Sequence, residues 1–295
     1  YGSFYLVDYA LKSAPESHRK NWGKAMDWYP ELKPWLDSIK TEGAWSDTFA
    51  IMPDGLRAHA VCIKSRNAEG RTAVVVHGYT NNSIDILHIA RIYNKEMHYN
   101  VVLPDLHGHG LSQGDDIQMG WFDRLDVLKW IDLAPKMFST VGDSMRLVVH
   151  GISMGAATTM CVSGEHTPDY VKCFVEDCGY TSAWDEFAHE LRGRFSLPEF
   201  PLLYTASWLT QAKYGWSFKE ASPLKQVAKC KKPMFFIHGD KDTFVPTWMV
   251  YPLYEAKPQP KQLWIAPGSE HAFAYRDHRE EYIKKVEAFV GKYCK

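Results

Sequence analysis

The chain has 295 residues, of which 45% are hydrophobic and 23% charged, an ordinary composition for a globular protein with a full core. Lys and Arg total 34 against 35 Asp and Glu, a balance that lacks the basic surface required for binding a nucleic-acid backbone. No apolar run reaches the roughly 18 residues that a membrane span needs. These features exclude a disordered chain, and we expect neither a nucleic-acid partner nor a membrane span in this chain.

Two features bear on the compartment of the protein without deciding it. The six cysteines form no CxxC pair and no zinc-type cluster with nearby histidines, so we expect free thiols, although an exported protein would allow one or two disulfides. The sequence starts at Tyr1 rather than Met, so we expect that an upstream segment was removed. Export, an N-terminal anchor before processing and a cytoplasmic location all stay open, as does the oligomeric state.

Strands and helices are predicted to alternate from about residue 43 onward. Pro53-Asp54-Gly55 separates two alternating runs and predicts an antiparallel hairpin of Trp45–Met52 and Leu56–Ser65. The later candidate strands are short and apolar without period-two alternation, which is typical of strands buried on both faces of a parallel sheet. They are Ala73–Val76, Asn100–Leu103, Arg146–His150, Lys172–Glu176, Pro233–Ile237 and Lys261–Ala266.

Helical periodicity fills the intervals between these strands. Apolar residues recur at helical spacing from Trp121 to Ile131 and from Tyr282 to Tyr293, and two further crossovers run from Ser83 to about Met97 and from Met154 to about Ser163. This alternation predicts an α/β fold with a doubly wound, mostly parallel sheet, whose ligands bind at the carboxyl ends of the strands.

The chain shows no repeat or linker, so we predict a single domain over residues 1–295 with an N-terminal helical extension at about residues 1–40. Residues 182–222 contain no predicted strand and many aromatic residues, and we interpret them as a helical cap over the sheet edge. Trp184, Trp208 and Trp216 are its candidate substrate-binding residues. The alternative is that these tryptophans only pack the cap against the sheet.

Gly151-Ile152-Ser153-Met154-Gly155 lies between an apolar run and a segment that can begin a helix. A G-x-S-x-G pentapeptide between a strand and a helix is the signature of a nucleophile elbow. The glycines are needed because a side chain at either position of so tight a turn would collide with the neighbouring strand or helix. We therefore predict that Ser153 is a nucleophile at a helix N-terminus, where an anionic intermediate is favoured.

A serine nucleophile needs a base that is held by an acid, and in this fold the chain order is serine, carboxylate, histidine. A loop after one predicted strand carries two carboxylates, Asp240 and Asp242, and His271 follows the last predicted strand. Because both loops emerge at the sheet edge that carries Ser153, we predict that His271 is the base and that one of these aspartates is its partner. The alternative for His271 is an ordinary histidine in a surface loop.

The oxyanion of an acyl-transfer reaction needs two backbone N–H donors. We predict the amide of Met154, directly after the nucleophile, and the amide of Tyr79, in the loop after the strand Ala73–Val76. The side chain of Tyr79 points either into the pocket or into the core. We interpret His77 as a residue whose ring fixes this loop.

Histidines at strand ends raise the alternative of a metal site. His77, His150 and His238 each precede a glycine, and His107 and His109 lie in a further loop. No pair has the i, i+4 spacing of a helical metal site, and each histidine has an ordinary role at a crowded turn. We predict no metal, and the acyl-transfer chemistry implies no cofactor.

Five motifs in order resemble the α/β-hydrolase superfamily, and the likeness is greatest to Bem46-like and serine-aminopeptidase-type hydrolases. The motifs are His77-Gly78, Asp105-x-x-Gly-x-Gly-x-Ser112, Gly-x-Ser-x-Gly, Gly-Asp-x-Asp-x-x-Val-Pro and a late histidine. An N-terminal Ser3-Phe4-Tyr5-x-x-Asp8-Tyr9-x-Leu11 adds to the likeness.

The resemblance implies a role for each site residue at a position that matches the family's motifs. It makes Ser153 the nucleophile, Asp242 the acid and His271 the base, with Asp240 shaping the turn and Asp177 as the backup acid. Members that use an aspartate nucleophile, such as dehalogenases, are disfavoured because position 153 is serine. Many relatives carry Arg at the position of His107, so the interactions of that loop are expected to differ here.

We therefore expect a serine hydrolase that cleaves carboxylic esters of small apolar or aromatic acyl groups through an acyl-enzyme. The partner would be a small-molecule ester or amide. A serine aminopeptidase and a thioesterase use the same triad, and the aminopeptidase would need a carboxylate near the substrate amine, for which Glu186, Glu190 and Glu199 are available in the cap. A non-catalytic receptor for a small ligand is the alternative from another class.

Overall fold

One eight-stranded sheet organises the chain, and the computed structural model describes residues 2–18, 22–138 and 144–295. The strands are β1 (Trp45–Ile51), β2 (Arg57–Ile63), β3 (Arg71–Val76), β4 (Asn100–Pro104), β5 (Arg146–Ile152), β6 (Val171–Asp177), β7 (Met234–Gly239) and β8 (Lys261–Ala266). Their order in the sheet is β1-β2-β4-β3-β5-β6-β7-β8. Only the pairs β1–β2 and β2–β4 are antiparallel, so the sheet is mostly parallel.

Helices cover both faces of this sheet. The crossovers contain α4 (Leu87–Arg91), extended by a π-helical turn (Ile92–Glu96), α5 (Asp123–Phe138), α6 (Met154–Ser163), α9 (Pro223–Val227) and α10 (Val250–Ala256). After the last strand come α11 (Ala274–Asp277) and α12 (Arg279–Tyr293). Strand side chains alternate between two apolar cores, Val74 and Val76 facing one and Ala73 and Val75 the other. Burial on both faces explains why these strands lack a polar side in the sequence.

Helices also precede the sheet. They are α1 (Gly2–Leu11), a 3₁₀ turn (Pro15–His18), α2 (Trp22–Trp28) and α3 (Leu32–Thr41). Trp35 of α3 is buried, and its indole N–H donates to the Asn94 side chain at 3.0 Å. The first helices are therefore packed on the fold.

Two helices are inserted between β6 and α9, namely α7 (Ala183–Phe195) and α8 (Leu202–Tyr214), and we call them the inserted helices. Ser182 begins α7 as an N-cap whose hydroxyl accepts from the amide of Asp185 at 3.0 Å. The inserted helices are joined to the chain start, because Arg194 donates to the Tyr9 hydroxyl at 3.0 Å and Lys213 pairs with Asp8 at 3.3 Å.

The doubly wound α/β fold predicted from the sequence is confirmed, including the antiparallel hairpin. The helix predicted from Ser83 is shorter than expected, because residues 77–86 form a loop and regular helix begins only at Leu87. All six cysteines are free and buried, and Cys173 lies with its sulfur 3.8 Å from that of Cys294. No helix within the described ranges has the length and apolarity needed to cross a bilayer.

Candidate active site

Ser153 lies at the turn between β5 and α6, in a backbone conformation with φ 57° and ψ −121°. A Cβ at Gly155 would collide with the carbonyl oxygens of Val76 and His77, and one at Gly151 with the carbonyl of Gly155. The turn can therefore be this tight only with glycine at both positions. The positive φ of a non-glycine residue is the strain expected of a nucleophile elbow.

The structure brings together the three residues predicted to form the triad. The Nε2 atom of His271 lies 2.8 Å from the Ser153 Oγ, and its Nδ1 atom lies 2.7 Å from Oδ2 of Asp242. Since Asp242 is 5% exposed and His271 is more open, the acid is shielded while the histidine faces the cavity. A carboxylate on Nδ1 keeps the proton there, which leaves the Nε2 lone pair for the serine hydroxyl.

Asp242 is held as a carboxylate by its surroundings. Its Oδ1 accepts from the amides of Phe244 at 3.0 Å and Val245 at 2.9 Å, and its Oδ2 lies 3.3 Å from Nε2 of His238. Burial alone would raise the pKa of Asp242, but the hydrogen bonds with His238 and His271 outweigh it and lower the pKa below its usual value. The carboxyl group is therefore ionised at neutral pH.

Asp177, the backup acid, faces a different partner. Its Oδ2 accepts from the Tyr282 hydroxyl at 2.9 Å, and burial raises its pKa to about 6. Its main-chain carbonyl accepts from the amide of Ser153 at 2.8 Å. His271 therefore hydrogen-bonds with Asp242 and not with Asp177. Asp177 supports the turn at the nucleophile through its main chain. Asp240 shapes the loop, since its Oδ1 accepts from the amide of Gly268 at 2.6 Å.

The two amides predicted for the oxyanion lie at the same cavity. Tyr79 and Met154 both line it, and neither N–H donates to a backbone acceptor within the described residues. Met154 is the first residue of α6, where the amides of a helix have no intrahelical partner. The Tyr79 side chain, whose direction the sequence left open, donates its hydroxyl to the carbonyl of Ala10 at 2.8 Å.

The ring of His77 forms hydrogen bonds that hold the loop after β3, the role interpreted from the sequence. Its Nδ1 lies 2.8 Å from the carbonyl oxygen of Gly78, and its Nε2 accepts from the amide of Leu106 at 3.0 Å. Burial lowers its pKa, so the ring is neutral. It joins the loop after β3 to the loop after β4.

In the loop after β4, His107 lies between two carboxylates. His107 contacts Asp116 at 3.0 Å and Asp54 at 3.3 Å. Its pKa is about 9, because the hydrogen bond and charge of Asp116 outweigh a burial that would lower it. Position 107 is therefore a cationic histidine in an acidic setting.

One group of side chains in the described ranges brings three possible metal-ligand atoms within 4.8 Å of one another, namely Cys178, Asp242 and His271. Burial raises the pKa of the Cys178 thiol well above its usual value, which disfavours the thiolate that a metal would need. His271 and Asp242 are already joined to each other. The donor set therefore fits a proton relay better than a metal centre.

A cavity of about 900 Å³ opens over Ser153 and His271. Its walls include α1, α2, the inserted helices α7 and α8 and the loops after β3, β7 and β8. The aromatic residues that line the cavity are Tyr9, Trp28, Tyr29, Tyr79, Tyr180, Phe187, Phe195, Phe218, Phe244 and Phe273. Aromatic side chains therefore make up much of the cavity wall.

The candidate substrate-binding tryptophans do not lie in this wall, which corrects their assignment. Trp208 is 69% exposed on the outer face of α8, and Trp216 is fully buried against Phe218. Trp184 packs edge-on against Tyr204 with ring centroids 4.8 Å apart and under the Lys219 ammonium. The reason is that α7 turns the face carrying Glu186 and Phe187 toward the cavity, and α8 turns Leu203 and Ala206 toward it.

Sequence reasoning missed the contributions of α1 and α2 to the cavity. Leu6 and Tyr9 of α1 and Lys24 and Trp28 of α2 line it, although both helices lie far in sequence from the motifs. The sequence predicted helical structure at the N-terminus but did not show which part of the fold it contacts. A helical spacing of apolar residues on both would have indicated a buried face without showing what it faces.

Comparison with known proteins places this site in a family. The family model for the prolyl oligopeptidase family matches residues 92–295. The uncharacterized protein YqkD of Bacillus subtilis is 32% identical over 219 residues, which cover 74% of this chain and 70% of that protein. The fold is also similar to that of the Pyrococcus furiosus esterase Pf2001, with a TM-score of 0.68, 23% identity and coverage of 85% and 93% of the two chains. The Pyrococcus horikoshii acylaminoacyl peptidase gives a TM-score of 0.61 at 18% identity, covering 85% of this chain and 42% of that one.

The fold, the elbow and these matches define a serine hydrolase of the α/β-hydrolase superfamily. Within it, the chain belongs to the prolyl oligopeptidase family. The superfamily predicted from the five motifs is confirmed.

Proposed function

We propose that the protein hydrolyses carboxylic esters and related acyl compounds through an acyl-enzyme on Ser153, with His271 as base and Asp242 as acid. The observation that carries the proposal is the chain of contacts from Ser153 Oγ through both nitrogens of His271 to Asp242, at 2.8 Å and 2.7 Å. The distances lie within hydrogen-bond reach for a nucleophile, its base and the group that orients the base.

Each residue has one role in the proposed reaction. The Nε2 of His271 takes the proton of Ser153 as its oxygen attacks the substrate carbonyl carbon, and Asp242 stabilises the imidazolium that forms. The amides of Tyr79 and Met154 would hold the oxyanion. His271 then protonates the leaving group, the acyl-enzyme remains on Ser153, and water activated by His271 releases the acid.

The cavity supports an apolar or aromatic acyl group. Phe187 and Leu191 of α7 line the cavity together with Phe244, which lies beside His271 with ring centroids 4.9 Å apart. Apolar walls of this kind favour an acyl chain over a polar one through burial of its surface. We propose that α7 and α8 act as a cap over the site and that the chain is one domain with the N-terminal helices at the mouth of the cavity.

Labelling by a fluorophosphonate tests the proposed nucleophile. Wild-type protein should form a covalent adduct on Ser153, found by mass spectrometry of the peptide that contains it. His271→Ala should not be labelled, because no base would activate the serine, whereas Trp208→Ala, on the exposed face of α8, should be labelled like wild type. An adduct on another residue would contradict the assignment, and a folded protein that is not labelled at all would favour the non-catalytic receptor.

A further inference from the structure

The cavity over Ser153 has two sides, which belong to different cores of the protein. Leu203 lines it from the core that contains the inserted helices, and Ala25 lines it from the core that contains α4. We call the wall formed by α2, α4 and residues 81–86 the α4 side. Ser153 lies between Ile152, which belongs to the core of the α4 side, and Met154, which belongs to the other core. The two parts of a substrate that meet at its scissile carbonyl would therefore have different surroundings.

His88 of α4 is a buried residue of the α4 side whose ring has no hydrogen-bond partner. It is 6% exposed, and neither of its ring nitrogens is paired within the described residues. Its ring stacks on that of Tyr29 with centroids 4.3 Å apart, and the ring of Tyr275 lies 5.2 Å away. Unpaired polar atoms in the wall of a cavity carry a desolvation cost, which a ligand can relieve.

Other buried histidines of the protein are paired. His150, outside the cavity, has its Nδ1 2.9 Å from the Tyr93 hydroxyl and its Nε2 3.0 Å from the Tyr282 hydroxyl. His77 bonds through both of its nitrogens. In the part of the chain that the structure describes, His88 alone has two buried ring nitrogens without a partner. Packing by itself therefore does not account for a histidine at this position.

The neutral ring of His88 restricts the chemistry of its ligand. Burial lowers its pKa to about 3, with a smaller opposite contribution from the main chain of Asp85, so the ring is uncharged at neutral pH. A neutral imidazole has one donor and one acceptor. A hydroxyl group can serve either nitrogen because it both donates and accepts, whereas a carboxylate only accepts and an ammonium only donates. Asn81 and Asp85 add further polar side chains to the same wall.

We infer that His88 hydrogen-bonds a hydroxyl group on the leaving alcohol of the substrate, so that this site favours esters of diols and polyols over esters of apolar alcohols. The inference rests on the proposed acyl-enzyme reaction at Ser153. It assigns the apolar wall at Phe187 and Phe244 to the acyl group and the α4 side to the alcohol. His88 is then a specificity residue and takes no part in the proton transfers of His271.

The test uses butyrate esters in three pairs, in which a hydroxyl group replaces the terminal methyl group of the alcohol. They are propyl and 2-hydroxyethyl, butyl and 3-hydroxypropyl, and pentyl and 4-hydroxybutyl butyrate. In at least one pair, wild-type protein should have a kcat/KM at least about tenfold higher for the hydroxy ester, because the apolar ester leaves His88 unpaired. Each ratio is divided by the ratio of the rates of alkaline hydrolysis, which removes the intrinsic reactivity of the two esters.

His88→Phe keeps an aromatic ring against Tyr29 and removes both nitrogens. It should reduce the hydroxyl preference to about twofold or less and leave kcat/KM for the apolar esters within about threefold of wild type. His166→Phe is the matched control, because His166 is exposed and lies outside the cavity wall, and it should keep the full preference. Circular dichroism checks that both variants are folded, and the wild-type ratios are decisive without either variant.

The inference and the proposed function fail in different ways. A wild-type protein that reaches the tenfold ratio in none of the three pairs, or a folded His88→Phe variant that retains it, would overturn the inference while Ser153-dependent hydrolysis of the apolar esters still held. Turnover of these esters that persists in Ser153→Ala would overturn the proposed function instead.

Discussion

The hydroxyl of Tyr79 donates to the carbonyl of Ala10 at 2.8 Å and so joins the first helix of the chain to the loop beside the nucleophile. The same residue offers its backbone amide to the proposed oxyanion site. Because the hydroxyl bond is made by the side chain and the oxyanion contact by the main chain, one substitution separates the two.

Tyr79→Phe should lower stability and leave most of the activity. Loss of one buried hydrogen bond costs about 1 kcal/mol, which corresponds to a fall in Tm of about 2–4 °C for a chain of this size. The amide remains, so kcat should fall by less than about tenfold, since removal of an oxyanion donor costs about 10²–10³. A loss of kcat of that larger size in a folded variant would show that the side chain itself acts in catalysis.

The two candidate acids should respond differently to the same change. Asp242→Asn should lower kcat by about 10⁴, because the amide no longer holds the His271 proton on Nδ1. Asp177→Asn should leave kcat within about tenfold, because Asp177 pairs with Tyr282 rather than with His271. Steady-state kinetics on one ester, with circular dichroism to check folding, decides between them, and the reverse pattern would make Asp177 the acid.

Aromatic substitutions separate packing from substrate recognition. Phe187→Ala should alter the preference for acyl chain length, because Phe187 lines the cavity. Trp216→Ala should lower stability by about 3–5 kcal/mol, because Trp216 is fully buried. Neither Trp216→Ala nor Trp208→Ala should shift the chain-length optimum, and a shift in either would return that tryptophan to the substrate site.

The pH dependence of stability should reflect buried acids in the first turn of α5. Burial and the charges of Asp123 and Asp54 raise the pKa of Asp126 to about 7. A folded-state pKa above the unfolded value means that the native state binds the proton more tightly, so this contribution is present at low pH and is lost as pH rises from about 4 to about 7.

Asp126→Asn should therefore raise Tm at pH 8 by at least about 2 °C and leave it nearly unchanged at pH 4. Asp132→Asn, at an exposed position of the same helix, is the control and should change neither value by much. Thermal unfolding at the two pH values measures both. An Asp126→Asn variant less stable at pH 8 than wild type would contradict the assignment of this acid.

The sequence predicted the sheet and the elbow well because both leave local patterns. Apolar runs without alternation mark strands buried on both faces, and the glycines around Ser153 mark a turn that tolerates no side chain. The acid was ambiguous, because Asp177 and Asp242 each follow a strand, and only the direction of the His271 Nδ1 atom separates them.

The cavity wall was harder to predict because it depends on which face of a helix points inward. Trp184, Trp208 and Trp216 were singled out by residue type, yet α7 turns Glu186 and Phe187 toward the site instead. The rotation of α7 is set by long-range contacts such as that of His189 with the carbonyl of Thr243 at 2.8 Å. Such a contact joins residues far apart in the chain and leaves no periodic signal.

The most direct test of the proposed reaction is hydrolysis of p-nitrophenyl esters from acetate to decanoate by wild-type protein and by Ser153→Ala. We predict turnover by wild type, with an optimum chain length that reports the depth of the cavity, and loss of that turnover in Ser153→Ala with its fold retained. Turnover that persists at the wild-type rate in Ser153→Ala would contradict the assignment of Ser153 as the nucleophile.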